Sequence, residues 1–320
     1  MQLETPIALI IFNRPEFTKK VFEHIRAAKP KQLFIIADGP RNPAEKDLCG
    51  QTRTITENVD WPCEVKRNYA ETNMGCDPRV SSGITWVFEH VDRAIIFEDD
   101  CIPHPDFFTF CQELLERYKH DARIMHISGD NYQRNNPEFS CKDSYFFSII
   151  PHIHGWATWK RAWNLYDDRL SKWPEIRTSG FLKTVFPDPA VRTHWEYKYD
   201  QYYSGKIAAW DGRWAFACVT HRGLSINPCV NLVTNIGYGP EATHAVRSNV
   251  ESANVPLQSL PPPFIHPKNI AIDRIAERYT YKYIFGINRE PRQRLVSFMR
   301  HRAPFVYRIL KSIKHILFVK

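Results

Sequence analysis

Residues 94–108 of this 320-residue chain read AIIFEDDCIPHPDFF. Four apolar residues at 94–97 run directly into three carboxylates, Glu98, Asp99 and Asp100. The apolar run indicates a buried strand, whereas three adjacent negative charges repel one another and are costly to bury without a partner. A divalent metal with a diphosphate would neutralise these charges. A solvated acidic turn is the alternative, and the apolar structure that resumes directly afterwards argues against it.

The sequence before this stretch alternates apolar runs with amphipathic segments. The predicted elements are strands at 7–12, 33–37 and 63–69 and helices at 17–25, 44–59 and 79–90. This order predicts an α/β domain in which helices flank a mostly parallel sheet. Ligands of such sheets bind beyond the carboxyl ends of the strands, and Arg14, Asp38 and the acidic triplet all fall there.

The phosphate-binding motifs of other nucleotide enzymes are missing from the sequence. No G-x-G-x-x-G follows the first strand, which argues against a dinucleotide dehydrogenase. No G-x-x-x-x-G-K-[ST] occurs, which excludes a P-loop phosphotransferase. The remaining possibility is a phosphate group bound through a metal ion that carboxylates coordinate. On an extended chain Glu98 and Asp100 share one face and Asp99 points to the other.

Charge and cysteine content narrow the class of protein further. The net charge is +8, and residues 289–320 account for all of it with nine basic residues and one acidic residue. The balanced remainder argues against a nucleic-acid-binding body. The eight cysteines form no C-x-x-C pair, so we expect reduced, mostly buried thiols rather than a zinc site. The N-terminal text lacks the features of a signal peptide, and we expect a cytoplasmic protein.

Eight motifs, taken together and in order, resemble a known family. They are IIFNRPE (10–16), FIIADGPR (34–41), AIIFEDDCIPHPDFF (94–108), HISGDN (126–131), HGWATWKRAW with a later KWP (154–174), WDGRW (210–214), RGLSINP (222–228) and NLVTNIGYGPEATH (231–244). The chain resembles the inverting GT-A glycosyltransferases, most closely the alpha-mannoside beta-1,2-N-acetylglucosaminyltransferases. The resemblance covers roughly residues 6–247 and implies a nucleotide-diphospho-sugar transferase fold.

The resemblance implies roles for the residues that follow the predicted strands. Asp100 is similar to the family's direct metal ligand, for Mn²⁺ or Mg²⁺. Glu98 and Asp99 are similar to carboxylates that hold hydroxyls of the donor's sugar and ribose. Asp38 resembles an acid that hydrogen-bonds the nucleotide base, and Arg14 resembles a basic residue beside the nucleotide. The alternatives are that Asp38 caps the Asp-Gly-Pro turn and that Arg14 is an ordinary surface arginine.

Two later residues complete the implied site. Asp211 in WDGRW resembles the catalytic base, although the family motif is Trp-Asp-Asp-Trp, and Asp200 and Glu196 therefore stay open as alternatives. His244 resembles a late histidine that reaches back to the metal and diphosphate. Trp156, Trp159 and Trp163, whose spacing is 3–4 residues, fit core packing as well as sugar stacking.

The implied activity is inverting transfer of a sugar from a nucleotide-diphosphate donor such as UDP-GlcNAc to a hydroxyl of a glycan or lipid-linked glycan, as in envelope polysaccharide synthesis. The implied layout is a glycosyltransferase domain over 1–250, with a nucleotide-sugar half (1–110) and an acceptor and catalytic half (111–250). A Pro-rich extended linker is expected over 251–288. The alternatives are a non-catalytic nucleotide-sugar- or carbohydrate-binding protein and a sugar-nucleotide pyrophosphorylase, although the latter would want a glycine-rich loop after the first strand.

The basic tail at 289–320 has its own pattern. From Pro304 onward apolar residues recur at three- and four-residue steps, and basic residues fill the other face. This predicts a basic amphipathic helix that binds an anionic membrane surface. A helix that packs on the domain is the alternative. The predicted location is therefore cytoplasmic, peripheral on the inner face of the membrane.

Overall fold

The computed structural model describes residues 2–238 and 253–287. The strands are β1 (Ile7–Ile11), β2 (Gln32–Ala37), β3 (Glu64–Tyr69), β4 (Arg93–Glu98), β5 (Cys101–Pro103), β6 (Ile124–Ser128), β7 (Tyr145–Ser148), β8 (Trp156–Trp159), β9 (Leu224–Pro228) and β10 (Val233–Asn235). The helices are α1 (Pro15–Ala28), α2 (Lys46–Ile55), α3 (Cys76–His90), α4 (Pro105–Arg117), α5 (Lys160–Trp163), α6 (Trp173–Ser179), α7 (Phe181–Val185), α8 (Pro189–Tyr203), α9 (Trp210–Thr220) and α10 (Arg274–Tyr279). The predicted alternation of strands and helices in the first half is confirmed.

Eight of the strands form one sheet in the order β3-β2-β1-β4-β8-β6-β9-β7. The β3-β2-β1-β4 half is parallel throughout, as expected for strands joined by crossover helices. β8 runs antiparallel to β4 and β6, and β7 runs antiparallel to β9. The α/β class and the mostly parallel sheet are therefore confirmed, with two antiparallel strands in the second half. β10 and β5 pair separately as a short antiparallel ribbon.

The sheet is buried on both faces, which explains the unbroken apolar runs of its parallel strands. Along β1, Ile7, Leu9 and Ile11 face the core beneath α1 and α4. Ala8 and Ile10 face the opposite core, beneath α3 and α9. Because β1 pairs in parallel with both β2 and β4, all three strands end at the same edge of the sheet.

The three tryptophans of the HGWATWKRAW motif belong to the core. Trp156 and Trp159 lie on β8 and Trp163 ends α5, and each is at most 3% exposed. Trp156 stacks on His126 with ring centroids 4.9 Å apart. Of the two interpretations considered, sugar stacking is therefore wrong for these residues and core packing is correct.

The Pro-rich segment does not leave the domain as an extended linker. In the described part, Asn231 donates a hydrogen bond to the carbonyl of Val255 at 3.0 Å. Phe264 packs edge-on against Phe110, and α10 follows. The apolar side chains between the prolines explain the difference, because they bury against the sheet layer instead of facing solvent.

The cysteines also differ from expectation at one place. Cys141 and Cys229 form a disulfide with Cα atoms 5.8 Å apart, so the expectation of eight reduced thiols is wrong for this pair. Antiparallel pairing of β7 with β9 brings the two together across 88 residues of sequence, a separation that carries no local signal.

Among residues 2–238 and 253–287, no helix has the length and apolarity needed to cross a bilayer.

Candidate functional site

A cavity of about 530 Å³ opens at the edge where β1, β2 and β4 end. It forms there because the chain diverges after each parallel strand and leaves space between the loops. Its wall contains Arg14, Asp38 and the whole acidic triplet, so the structure brings together five of the predicted site residues. Other polar or aromatic residues of the wall are Asn13, Arg41, Asn73, Arg79, His154, Asn235 and Tyr238.

Arg14 is the counter-ion of the acidic triplet. It follows β1 and reaches across to the end of β4, since these strands are parallel neighbours. Its guanidinium forms a short ion pair with Asp99 and lies 3.0 Å from Asp100 Oδ2 through Nη1. Burial lowers the pKa of Arg14, but attraction to the two aspartates outweighs it and the pKa is raised. Arg14 is thus a fixed positive charge in the cavity wall.

Glu98 and Asp99 differ in the neighbouring groups that shift their pKa values. Burial raises the pKa of Asp99, and the charge and hydrogen bonds of Arg14 oppose this rise. Burial and the neighbouring charges of Asp100 and Asp99 raise the pKa of Glu98. No hydrogen bond joins the Glu98 carboxylate to another described side chain, and part of this side chain stays accessible at the wall. Glu98 therefore presents to the cavity a carboxyl group that has no side-chain hydrogen-bond partner among the described residues.

Asp100 is held by the β10 ribbon. Asn235 donates from Nδ2 to Asp100 Oδ1 at 3.2 Å, and the Ile236 amide donates to the Asp100 carbonyl at 2.9 Å. Gly237 then passes so close that a Cβ there would lie 2.1 Å from Asp100 Oδ2. The NLVTNIGYG motif thus returns to the triplet, although His244 lies outside the described residues.

Asp38 has a different environment from the triplet. Its Oδ1 accepts hydrogen bonds from the amides of Gly39 and Met74, both at 2.8 Å. Its Oδ2 accepts from the Gly75 amide at 3.1 Å and from Asn73 Nδ2 at 3.0 Å. These donors fill about four acceptor positions, which is the capacity of a carboxylate. Asp38 therefore fixes the loop before α3, and only the hydrogen bond from the Gly39 amide belongs to the Asp-Gly-Pro turn of the capping interpretation.

Asp211 and Asp200 occupy unlike positions. Asp211 begins α9 beside Cys76, a cavity residue whose pKa is raised by burial, Glu98 and Asp211. Burial raises the pKa of Asp211 as well, against hydrogen bonds from backbone amides of its own helix. Asp200 instead accepts hydrogen bonds from Arg177 Nε at 2.8 Å and Trp173 Nε1 at 3.1 Å. Asp200 thus has two side-chain partners, whereas Asp211 lies in the first turn of α9 and is not one of the residues that line the cavity. Glu196 lies half-buried on α8 with Asp200.

A buried polar cluster stands behind the cavity and was not predicted from the sequence. Asp130 is 2% exposed and lies 3.1 Å from Nδ1 of both His152 and His154, one on each carboxylate oxygen. Burial lowers the pKa of His154, but the hydrogen bond and charge of Asp130, with the charges of Asp100 and Glu98, outweigh it and raise the pKa. Asp130 belongs to the HISGDN motif and His154 to the HGWATW motif, and the two motifs meet only in the folded protein.

The donor atoms suit a hard cation only in part. Carboxylate oxygens are the ligands that Mn²⁺ and Mg²⁺ prefer, and Glu98 and Asp100 offer such oxygens at the cavity wall. Within 2–238 and 253–287, however, no group of three or more His, Cys, Asp and Glu side chains is arranged to hold a metal ion. Mg²⁺ commonly keeps waters and substrate phosphates among its ligands, so these residues fit a metal that arrives with a diphosphate.

Comparisons with known proteins give distant structural neighbours. No family model matches the chain, and no curated protein matches its sequence. The 4-diphosphocytidyl-2C-methyl-D-erythritol synthase of Anaerococcus prevotii superposes with a TM-score of 0.32 at 9% identity, covering 51% of this chain and 75% of that one. A UDP-glucose pyrophosphorylase in complex with UDP-glucose gives 0.29 at 7% identity, covering 50% and 79%. Mouse xyloside xylosyltransferase 1 gives 0.33 at 10% identity, covering 77% and 87%.

By their names these neighbours are a synthase, a UDP-glucose pyrophosphorylase and a xylosyltransferase, and none of them supports the narrower resemblance to mannoside N-acetylglucosaminyltransferases. At such low TM-scores and identities the neighbours carry no functional argument. The functional argument therefore rests on the chemistry of the cavity.

Proposed function

We propose that the protein is a metal-dependent inverting glycosyltransferase that uses a nucleotide-diphosphate sugar such as UDP-GlcNAc. The observation that supports this most is the triplet at the cavity wall. Three carboxylates meet a single guanidinium, that of Arg14, among their described ion-pair partners. A cation bound together with a diphosphate would supply the missing positive charge, and the hydroxyls of a sugar and a ribose would supply hydrogen-bond donors for Glu98 and Asp99.

In this proposal each residue has a role that follows from its position in the cavity. Asp100, already oriented by Asn235, would hold Mn²⁺ or Mg²⁺, with His244 as a second ligand contributed from outside the described residues. The metal would stabilise the charge of the departing nucleoside diphosphate. Arg14 would keep Asp99 oriented and the nucleotide side of the cavity positive. Asp38 would act by fixing the loop on which the nucleotide rests.

The acceptor hydroxyl needs a base because it is a poor nucleophile at neutral pH. We propose Asp211 for this role, since burial raises its pKa toward the working range of a general base. Attack on the anomeric carbon from the face opposite the leaving group inverts its configuration. The acceptor would be a glycan or lipid-linked glycan of envelope polysaccharide synthesis. Residues 289–320, which lie outside the described part, would bind the anionic inner face of the membrane.

The experiment that tests the function is a hydrolysis screen of nucleotide sugars. The full-length protein is incubated with UDP-, GDP-, CDP-, ADP- and dTDP-sugars in Mn²⁺ or in EDTA, because slow hydrolysis reveals a donor without its acceptor. We expect one donor class to release nucleoside diphosphate in Mn²⁺ alone, and the Asp100→Asn variant to release none. Binding without turnover would instead favour a non-catalytic binding protein. Formation of nucleoside triphosphate from donor and pyrophosphate would favour a pyrophosphorylase.

A further inference from the structure

His154 is a cavity residue that the proposed mechanism leaves unused. It precedes β8, and its ring lines the same cavity as the triplet. Its side chain is 19% exposed, so it faces a ligand space rather than bulk solvent. The ring of Tyr238 meets it edge-on, with centroids 6.1 Å apart. His154 therefore stands at the wall where β10 returns to Asp100.

The orientation of the His154 ring is fixed from behind. Nδ1 lies 3.1 Å from Asp130 Oδ2 and 3.0 Å from the Tyr132 hydroxyl. The same hydroxyl donates to Asp130 Oδ2, and His152 holds the other oxygen of Asp130 at 3.1 Å. Because Asp130 is buried and acceptor-only when ionised, Nδ1 carries a hydrogen toward it.

This arrangement leaves one ring nitrogen for a ligand. Nε2 is on the opposite side of the imidazole from Nδ1 and forms no hydrogen bond with another described residue. The guanidinium of Arg14, by contrast, is engaged by Asp99 and Asp100. A ligand that enters the cavity thus meets a pre-oriented imidazole whose polar atom is still available. The buried negative charge of Asp130 favours the form in which both ring nitrogens donate, and such a donor requires an acceptor of high electron density.

We propose that His154 binds the donor nucleotide, with Nε2 donating a hydrogen bond to a phosphate oxygen of a nucleoside diphosphate, and that Asp130 and Tyr132 are the positioning residues for this contact. The proposal rests on the proposed function, because it takes the cavity to be the donor site. It adds a protein contact to the diphosphate from a cavity residue other than Arg14. Sequence pattern gives no sign of it, since Asp130 and His154 are 24 positions apart in separate motifs.

The test is calorimetric titration of the full-length protein with nucleoside diphosphates and with the corresponding nucleosides, in EDTA and in Mn²⁺. UDP, GDP, CDP, ADP and dTDP are used with wild type, His154→Ala and His154→Gln. A hydrogen bond to a charged group contributes about 1.5–3 kcal/mol, so His154→Ala is expected to weaken diphosphate binding by about 10- to 100-fold. Nucleoside affinity is expected to stay unchanged. His154→Gln keeps an N–H donor and is expected to recover part of the loss.

Two controls separate the contact from a general loss of structure. His120→Ala removes an exposed histidine just beyond α4 and is expected to bind like wild type. Asp130→Asn keeps the shape of the positioning residue but weakens its hold on the ring, and it is expected to fall between wild type and His154→Ala. Thermal melting of every variant checks the fold, and His154→Gln carries the test if the alanine variant does not fold.

The outcomes distinguish this proposal from the function on which it rests. Equal diphosphate affinity in wild type and the His154 variants would overturn the contact while leaving the donor site in place. Equal loss of nucleoside and diphosphate binding would overturn the assignment to phosphate. Failure of every nucleoside diphosphate to bind wild type would overturn the proposed function, and the role of His154 with it.

Discussion

Asp38 and the acidic triplet stand at the ends of β2 and β4, the parallel strands on either side of β1, yet their carboxylates have opposite kinds of surroundings. Asp38 receives four hydrogen bonds from the loop around it. Glu98 receives none from another described side chain, and Asp99 and Asp100 share the single guanidinium of Arg14. A carboxylate that the chain satisfies by itself stabilises a loop. A carboxylate that it leaves undersatisfied at a cavity wall costs stability and is suited to bind something else.

The largest effect should come from Asp100, which belongs to the undersatisfied group. Asp100→Asn is expected to lower Mn²⁺-dependent donor turnover by at least about 10³-fold, because several kcal/mol of charge stabilisation is lost with the metal. The fold should survive, since the change relieves repulsion within the triplet. Donor hydrolysis and urea unfolding measure the two quantities. Full activity, or a loss of stability as large as that of an Asp38 variant, would break the contrast between the two strand ends.

The same contrast applies to the two candidate bases. Asp211→Asn is expected to lower turnover by roughly 10²-fold or more, as for loss of a general base. Asp200→Asn removes a carboxylate that already has Arg177 and the Trp173 indole as partners, so it should act on stability rather than on turnover. Single-turnover rates and urea unfolding of both variants decide between them. A turnover loss confined to Asp200→Asn would reverse the assignment.

How far the sequence could predict these features depends on the range of the interaction. The strands at 7–12, 33–37 and 94–97 were predictable because double burial leaves a local apolar signature. The gathering of Arg14, Asp38 and the triplet followed from the rule that parallel strands end at one edge. The Asp130–His154 pair and the Cys141–Cys229 disulfide were not predictable, since each depends on strand pairing far along the chain.

Asp38, the carboxylate whose hydrogen bonds are all satisfied by the protein, allows the complementary test. Asp38→Asn replaces one acceptor oxygen by a donor and leaves two of the four amide and side-chain donors without a partner. Each lost hydrogen bond of a buried donor costs about 1–3 kcal/mol, so we expect the free energy of unfolding to fall by about 3 kcal/mol. Urea denaturation measures it, with the exposed Asp47→Asn on α2 as control. An unchanged midpoint would show that the loop does not depend on Asp38.

Glu98 should reveal its undersatisfied state through pH. Burial, Asp100 and Asp99 raise its pKa in the folded protein, whereas the unfolded chain releases this proton at about pH 4.3. The contribution of Glu98 to the free energy of unfolding is therefore fully present below about pH 4. It is lost as the pH rises toward the raised pKa of Glu98 in the folded protein. Glu98→Gln removes this loss, so its stability advantage over wild type should grow with pH, by at most about 1.4 kcal/mol per pH unit, between pH 5 and pH 8. A gap that does not change with pH would contradict the unfavourable charge.

The smallest expected effect concerns Arg14, the one guanidinium that bridges Asp99 and Asp100. Lysine keeps the charge but offers a single ammonium group, so Arg14→Lys should lose the bridge and about 1 kcal/mol of stability. The freed Asp100 oxygen then becomes available to a cation, and millimolar Mn²⁺ should raise the melting temperature of this variant more than that of wild type. Mn²⁺ should not rescue Asp38→Asn, whose defect lies in hydrogen bonds rather than in uncompensated charge. Equal responses of all three proteins to Mn²⁺ would mean that Arg14 and a metal do not share the same carboxylates.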